Sequence, residues 1–287
     1  MGLSAFALLV AAAVLYRLPR GAAAAVLVAQ CVVVLAWWTT IEPSHDRRWS
    51  PAQARLPRAE IDGPRVTLHN IRNFRYRTPK DWDQDFYDAT FDTRELRGVD
   101  FIVSYFSEFA GIAHTMVSFR FAEERYLVIS IEVRKERGET YSPLRGLFRQ
   151  YELMVVAGDE RDLVALRALF RQQDVYVFPV RAPRERVAKF FLGMIRRINA
   201  LAERPEFYNT LFSNCTSNLV KQLEEVRRIP LGFDYRVLLP GYSDELAYEL
   251  GLIDNRITLE EARRRYRINE RAMQDGGSER FSLAIRR

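Results

Sequence analysis

Ala113-His114-Thr115-Met116-Val117-Ser118-Phe119-Arg120-Phe121 leads through Ala122-Glu123-Glu124-Arg125 into Tyr126-Leu127-Val128-Ile129-Ser130-Ile131-Glu132-Val133-Arg134. The alternation in both stretches predicts a pair of antiparallel strands joined by a short turn. On the first strand Ala113, Thr115, Val117, Phe119 and Phe121 share one face, and His114, Met116, Ser118 and Arg120 share the other. On the second, Leu127, Ile129, Ile131 and Val133 are the apolar set, opposite Tyr126, Val128, Ser130, Glu132 and Arg134. Matching apolar to apolar leaves two registers, one setting His114 against Glu132 and the other setting it against Arg134. Opposed Cβ atoms lie about 4.5–5.5 Å apart. The first register lets Glu132 orient an imidazole and stabilise its charged form. A solvated polar face with incidental charge pairs accounts for the pattern equally simply.

Outward from the hairpin, Arg65 to Asn70, Asp100 to Phe106 and Asp174 to Val180 read as further strands. Leu144 to Tyr151, Asp159 to Gln173, Pro183 to Ala202 and Thr216 to Arg227 read as helices. Thr258-x-x-Glu261 is a capping box opening a last charged helix. The content is α+β, with the antiparallel pair central and the helices mostly C-terminal.

Cys215 stands just before the Thr216 helix, four residues ahead of Leu219 on that helix's apolar stripe. A helix N-terminus favours a thiolate, and its free N–H groups are suited to an oxyanion. The other cysteine, Cys31, lies in an apolar N-terminal run and reads as inert.

That run, Ala22 to Ile41, is uncharged and long enough to span a hydrocarbon core of ~30 Å. Trp37 and Trp38 fall where an interfacial aromatic belt lies. Gly2 to Tyr16 is apolar but short, so one or two membrane segments are expected. Arg17 and Arg20 argue for an exported domain, whereas Arg47, Arg48, Arg55 and Arg58 argue for the reverse. The divisions expected are an anchor at 1–42, a Pro-rich linker at 43–64, a catalytic domain at 65–255 and a helical tail at 256–287.

The composition is consistent with this plan. Of 287 residues 48% are hydrophobic and 28% charged, which excludes a disordered chain and a polytopic membrane protein. The net charge is +6 and only Lys80, Lys135, Lys189 and Lys221 are lysines. An Arg excess on an anchored domain suits anionic lipid headgroups. Three His and two Cys exclude a Cys/His zinc framework. No phosphate loop, metal-ligand spacing or nucleic-acid motif is present, so no cofactor, metal or nucleic acid is implied.

A strand His followed much later by Asn-Cys at a helix start resembles the circularly permuted relatives of papain and NlpC/P60 cysteine enzymes. More closely, the chain resembles the bacterial family that includes the periplasmic domain of the lipoprotein N-acylation protein Lnb. The matching stretches are IAHTMVSF at 112–119, ISIEVRKERGETYS at 129–142, GLFRQYELMVV at 146–156, DERD at 159–162, FYNTLFSNCTSN at 207–218 and PGYSDELAYELGLI at 240–253.

The resemblance implies a papain-like domain with a central antiparallel sheet and a Cys-bearing helix. It implies a catalytic pair of His114 and Cys215, an anchor in the bacterial inner membrane and a domain in the periplasm. It also implies transfer of an acyl chain from a phospholipid donor to the N-terminal amine of a diacylglyceryl lipoprotein through a Cys215 thioester. In that scheme Glu132 orients His114, with Ser130 in reserve. Asn214 or the helix N–H groups hold the oxyanion, and Arg134 and Tyr208 contact the headgroup. Arg149, Glu152, Asp159, Glu160 and Arg161 form a charge set explained equally by a buried ion-pair network. Two other readings stay open. A membrane-tethered cysteine peptidase or amidase needs an open polar groove beside Cys215. A non-catalytic envelope binding protein leaves Cys215 and His114 too far apart to interact.

Overall fold

Alternation around residue 120 places the two predicted strands in the middle of an eight-stranded sheet. The computed structural model describes residues 19–228 and 230–287. Its strands are β1 (Arg58–Asp62), β2 (Arg65–Arg72), β3 (Arg75–Thr78), β4 (Asp81–Asp83), β5 (Phe86–Asp92), β6 (Leu96–Tyr105), β7 (Ala113–Phe121), β8 (Tyr126–Arg134), β9 (Glu152–Gly158) and β10 (Asp174–Pro179). Its helices are α1 (Arg20–Thr39), α2 (Glu160–Ala165), α3 (Arg184–Glu203), α4 (Cys215–Arg227), α5 (Tyr235–Leu238), α6 (Ser243–Glu249), α7 (Leu259–Tyr266), α8 (Asn269–Asp275) and α9 (Phe281–Ala284). A π turn, Leu166–Phe170, continues α2. The chain divides into one unit ending at Pro43 and a second running from Ser44 to Arg287.

In the first unit, α1 has a mean hydropathy of 2.0 and is long and apolar enough to cross a membrane. The apolar segment expected at 2–16 lies outside the described residues.

In the second unit the sheet order is β1-β2-β9-β8-β7-β6-β10, with β5 also paired to β2. All pairings are antiparallel except one parallel contact of Arg72 with Gly158. A Cβ on Gly158 would sit 2.8 Å from the Arg72 carbonyl oxygen, so this junction requires glycine. Strands β3 and β4 form a separate ribbon. The β7–β8 ladder runs from Arg120 with Tyr126 to Met116 with Ser130, which is the register that aims His114 at Glu132. Glu123 and Glu124 both have φ of 57°, so the turn is of the mirror-image kind that suits strand twist.

Both faces of the sheet are covered. The front face carries Thr115, Val117 and Phe119. Here Val117, Phe119, Ile129 and Ile131 pack with Phe191 and Ile195 of α3 and Leu219 of α4. The back face carries His114, Met116 and Ser118. Here Met116, Val128 and Met154 pack with Leu163 and Val164 of α2, Ala272 of α8 and Phe281 of α9. Each such fully buried large side chain contributes roughly 1.5–3 kcal/mol. The polar face of the hairpin is therefore a second interior, and Ser118 and Ser130 are both fully buried.

Two sequence expectations are corrected. Residues 144–151 make only a short 3-10 turn at Arg145–Leu147, and the apolar run that follows is the central strand β9. Its burial on both faces removes the alternation that marks a strand. The 43–64 stretch is not a free linker, since β1 pairs with β2 and Trp49 is buried. The 256–287 tail is helical as expected, and it packs onto the domain, with Ile268, Phe281 and Ile285 buried in the back core.

Candidate active site

His114 opens β7 on the back face. Its Nε2 lies 2.8 Å from Ser130 Oγ, and Ser130 Oγ donates to Glu132 Oε1 at 2.9 Å. Glu132 also accepts from Arg167 Nη2 at 2.9 Å, and its carboxylate lies 3.9 Å from His114 Nε2. A serine has one proton to give, and here it goes to Glu132. His114 must then donate its Nε2 proton to Ser130, which leaves Nδ1 as the acceptor nitrogen. Nδ1 has no partner among the described residues. Burial, and then the charge of Arg167, pushes the His114 pKa down to about 3, so the ring is neutral at physiological pH. Burial pushes Glu132 up, but Arg167, His114 and Arg72 outweigh it and hold the carboxyl well below its usual range.

Arg167 was not singled out from sequence. It follows Leu163 and Val164 by four and three residues, so it lies on the buried stripe of its helix. An arginine on an apolar stripe demands a carboxylate partner. The rest of the back face follows the same rule. Asp162 accepts two bonds from Arg72, at 2.8 and 2.7 Å. Arg286 bridges Asp100 and Glu160, and Glu160 accepts from Ser118 at 2.5 Å. Asp159 accepts from Tyr87 Oη at 2.5 Å. The acidic part of the 159–162 motif is thus structural.

Cys215 belongs to the front face. It starts α4, and its neighbour Thr216 has Oγ1 3.0 Å from Oγ1 of Thr115 on β7. Thr115 points forward and His114 backward, because successive strand residues alternate. The sheet therefore stands between the imidazole and the thiol, and no hydrogen bond or ion pair joins them. The structure does not bring the expected His114–Cys215 pair together. Cys215 is 4% exposed. Its ionisable neighbours are Tyr208 and Tyr141, whose hydroxyls are 3.5 Å apart. Burial, and then the Cys215 sulfur, raises both phenols.

The other expected site residues are committed to structure. Asn214 is the N-cap of α4. Its Oδ1 accepts from Ser217 N at 2.8 Å, and its Nδ2 donates to the carbonyls of Thr210 and Val237. It has no donor left for an oxyanion, whereas the first-turn N–H groups of Cys215 and Thr216 have no acceptor among the described residues. Arg134 is buried. It donates to the carbonyls of Gln53 and Ala54 at 3.0 Å each and stacks 4.1 Å over Trp49, so it clamps the 45–54 segment. Tyr208 is 7% exposed in the front core, beside Cys215 but not open to solvent.

A cavity of ≈ 220 Å³ runs along α4 and includes Thr216, the residue after Cys215, in its lining. Thr216, Leu219, Val220 and Leu223 form one wall, with Val117 as floor and Leu246 of α6 opposite. Nothing in the local sequence announces it, because its walls come from five separate elements, β6, β7, α3, α4 and α6.

A family model described as the Lnb N-terminal periplasmic domain matches residues 82–241. No curated protein and no solved structure matches the chain. Since the match covers more than half of the chain, from the edge ribbon through the central strands to the segment after α4, the protein belongs to the family of the Lnb N-terminal periplasmic domain.

Proposed function

We propose that this protein is a membrane-anchored periplasmic acyltransferase of the bacterial inner membrane, acting in lipoprotein N-acylation. The observation that carries the reading is Cys215 at the N-terminus of α4, with the first-turn N–H groups of Cys215 and Thr216 left without an acceptor among the described residues; the apolar cavity along the same helix supports a lipid ligand. A cavity walled by Leu, Val and Phe side chains suits an acyl chain. A peptidase or amidase calls for polar walls. The donor in this reading is a phospholipid and the acceptor a diacylglyceryl lipoprotein. Anchoring through α1 raises the effective concentration of both.

Cys215 is the nucleophile. Its sulfur bonds to the ester carbonyl carbon, the ester C–O bond breaks, and the lysophospholipid oxygen leaves with a proton. The lipoprotein amine then forms the amide as the C–S bond breaks, regenerating the thiol. The N–H groups of Cys215 and Thr216 hold the oxyanion. A Cys-bearing helix N-terminus laid on an antiparallel sheet is the feature that supports a papain-like arrangement in this reading. His114 is a positioning residue rather than the thiol's base.

The separation of His114 from Cys215 favours one second reading, a lipid-binding envelope protein without covalent chemistry. Both are tested on full-length protein in detergent with phospholipid carrying a labelled acyl chain, following intact mass. The acyltransferase gives a hydroxylamine-sensitive thioester adduct, absent in Cys215→Ala. Bound lipid with neither adduct nor lysophospholipid overturns it in favour of the second reading.

A further inference from the structure

The cavity along α4 is closed at one end and charged at the other. Helices α3 and α4 run antiparallel, since Gln222 lies against Gly193 and Arg197 donates to Asn218 Oδ1 at 3.1 Å. That direction brings Arg186, near the start of α3, beside Arg227 at the end of α4, and both line the cavity. The Thr216 end is sealed, with Thr216, Val117 and Leu246 all buried. At the arginine end Arg186 is exposed, with no ion pair among the described residues. Arg227 Nη1 is buried and has no hydrogen-bond partner among the described residues. A buried guanidinium donor without an acceptor is costly, so the cavity presents a donor for which the described residues supply no acceptor.

We infer that this cavity binds a single-chain anionic amphiphile tail first, with its phosphate or carboxylate on Arg227 and Arg186 and its chain running along α4 toward Thr216. The two ends of α4 are ~18 Å apart at 1.5 Å per residue, which suits a long acyl chain. The inference rests on the acyl reading of the cavity and adds the head group and the direction. With its head at Arg227, this lipid keeps its polar end a helix length from Cys215. It is therefore not the lipid whose ester the thiol attacks.

The test uses full-length protein in detergent and photoreactive probes with a diazirine at the chain terminus. The probes are a 16-carbon lysophosphatidylglycerol, a 16-carbon fatty acid and the matching neutral monoacylglycerol. The expected result is labelling of the β7 and Thr216 peptides by an anionic probe, at least tenfold above the neutral one. Labelling should fall at least tenfold in Arg186→Gln/Arg227→Gln, with partial recovery in Arg227→Lys and unchanged melting temperatures. Preference between the two anionic probes identifies phosphate or carboxylate as the natural head, and either supports the inference. Label concentrated on residues 226–231 overturns the direction. Equal labelling by anionic and neutral probes, indifferent to the arginine variants, overturns the anion site but leaves the acyl cavity standing. No labelling by any probe overturns both this inference and the acyl reading beneath it.

Discussion

Replacing His114 by Ala should leave the chemistry of the Cys215 thiol where it was. The two residues lie on opposite faces of one sheet, and packed layers are roughly 10 Å apart. At an effective dielectric of about 20, a full charge at that distance is worth ~1.7 kcal/mol, or about 1.2 pH units on a partner. His114 does not carry that charge near neutrality, because burial and Arg167 push its pKa down to about 3. The expected effect is therefore close to zero. A contacting imidazolium at ~4 Å would instead act with ~4 kcal/mol, about 3 units. The assay is the pH dependence of iodoacetamide alkylation in a Cys31→Ser background, which leaves Cys215 as the sole thiol. Superimposable profiles with and without His114 are expected. An upward displacement of two units or more in His114→Ala would refute the separation of the two residues by the sheet.

Arg167→Ala should cost about 3 kcal/mol, because it strands the largely buried Glu132 carboxylate; chemical denaturation measures this. His114 also makes stability depend on acid. Its folded pKa lies below the usual 6.5, so the unfolded chain binds more protons between those values, and stability is lost as pH falls from about 6.5 toward 3. His114→Gln should flatten the melting-temperature profile across that window, and an unchanged slope would count against the buried neutral ring. Replacing Glu123-Glu124 by Asn-Gly should stabilise by ~1 kcal/mol, since both positions have positive φ; a lower denaturation midpoint contradicts the turn assignment. Phe281→Ala should destabilise by roughly 3–5 kcal/mol, whereas a detached tail would show no change.

The hairpin was legible because its two faces differ in polarity over nine residues each, and even-sum pairing left only two registers. The α4 start was legible from Asn214 and Cys215 ahead of a clean apolar stripe. Strand β9 was not, since Glu152–Gly158 is buried throughout and a short apolar run carries no period. The placement of His114 relative to Cys215 was contained in the sequence but requires one more step. An amphipathic helix packs on the apolar face of a half-polar strand, and the apolar face of β7 is the one without His114. The stripe Leu219, Leu223 and Val226 therefore points α4, and Cys215 with it, to the Val117 side. The cavity and its arginine mouth were not legible, because they depend on how α3, α4 and α6 meet.

Loss of function in both Cys215 and His114 variants would not by itself establish a catalytic dyad in this fold. Residues 114 and 115 are consecutive on β7 and serve opposite faces. Behind the sheet, the chain from His114 through Ser130 and Glu132 to Arg167 ties β7 and β8 to α2 and its π turn. In front, the Thr115–Thr216 contact ties the same strand to the first turn of α4, one residue from the thiol. A substitution that unsettles the back-face chain moves the start of β7, and with it the anchor of α4. Such a change lowers the number of correctly placed thiols without altering how each one titrates. A dyad partner does the reverse and changes the titration of every thiol. The alkylation profile separates these cases where an activity assay does not. Thr115→Val supplies the complementary perturbation, removing the front contact and leaving His114 and its partners in place.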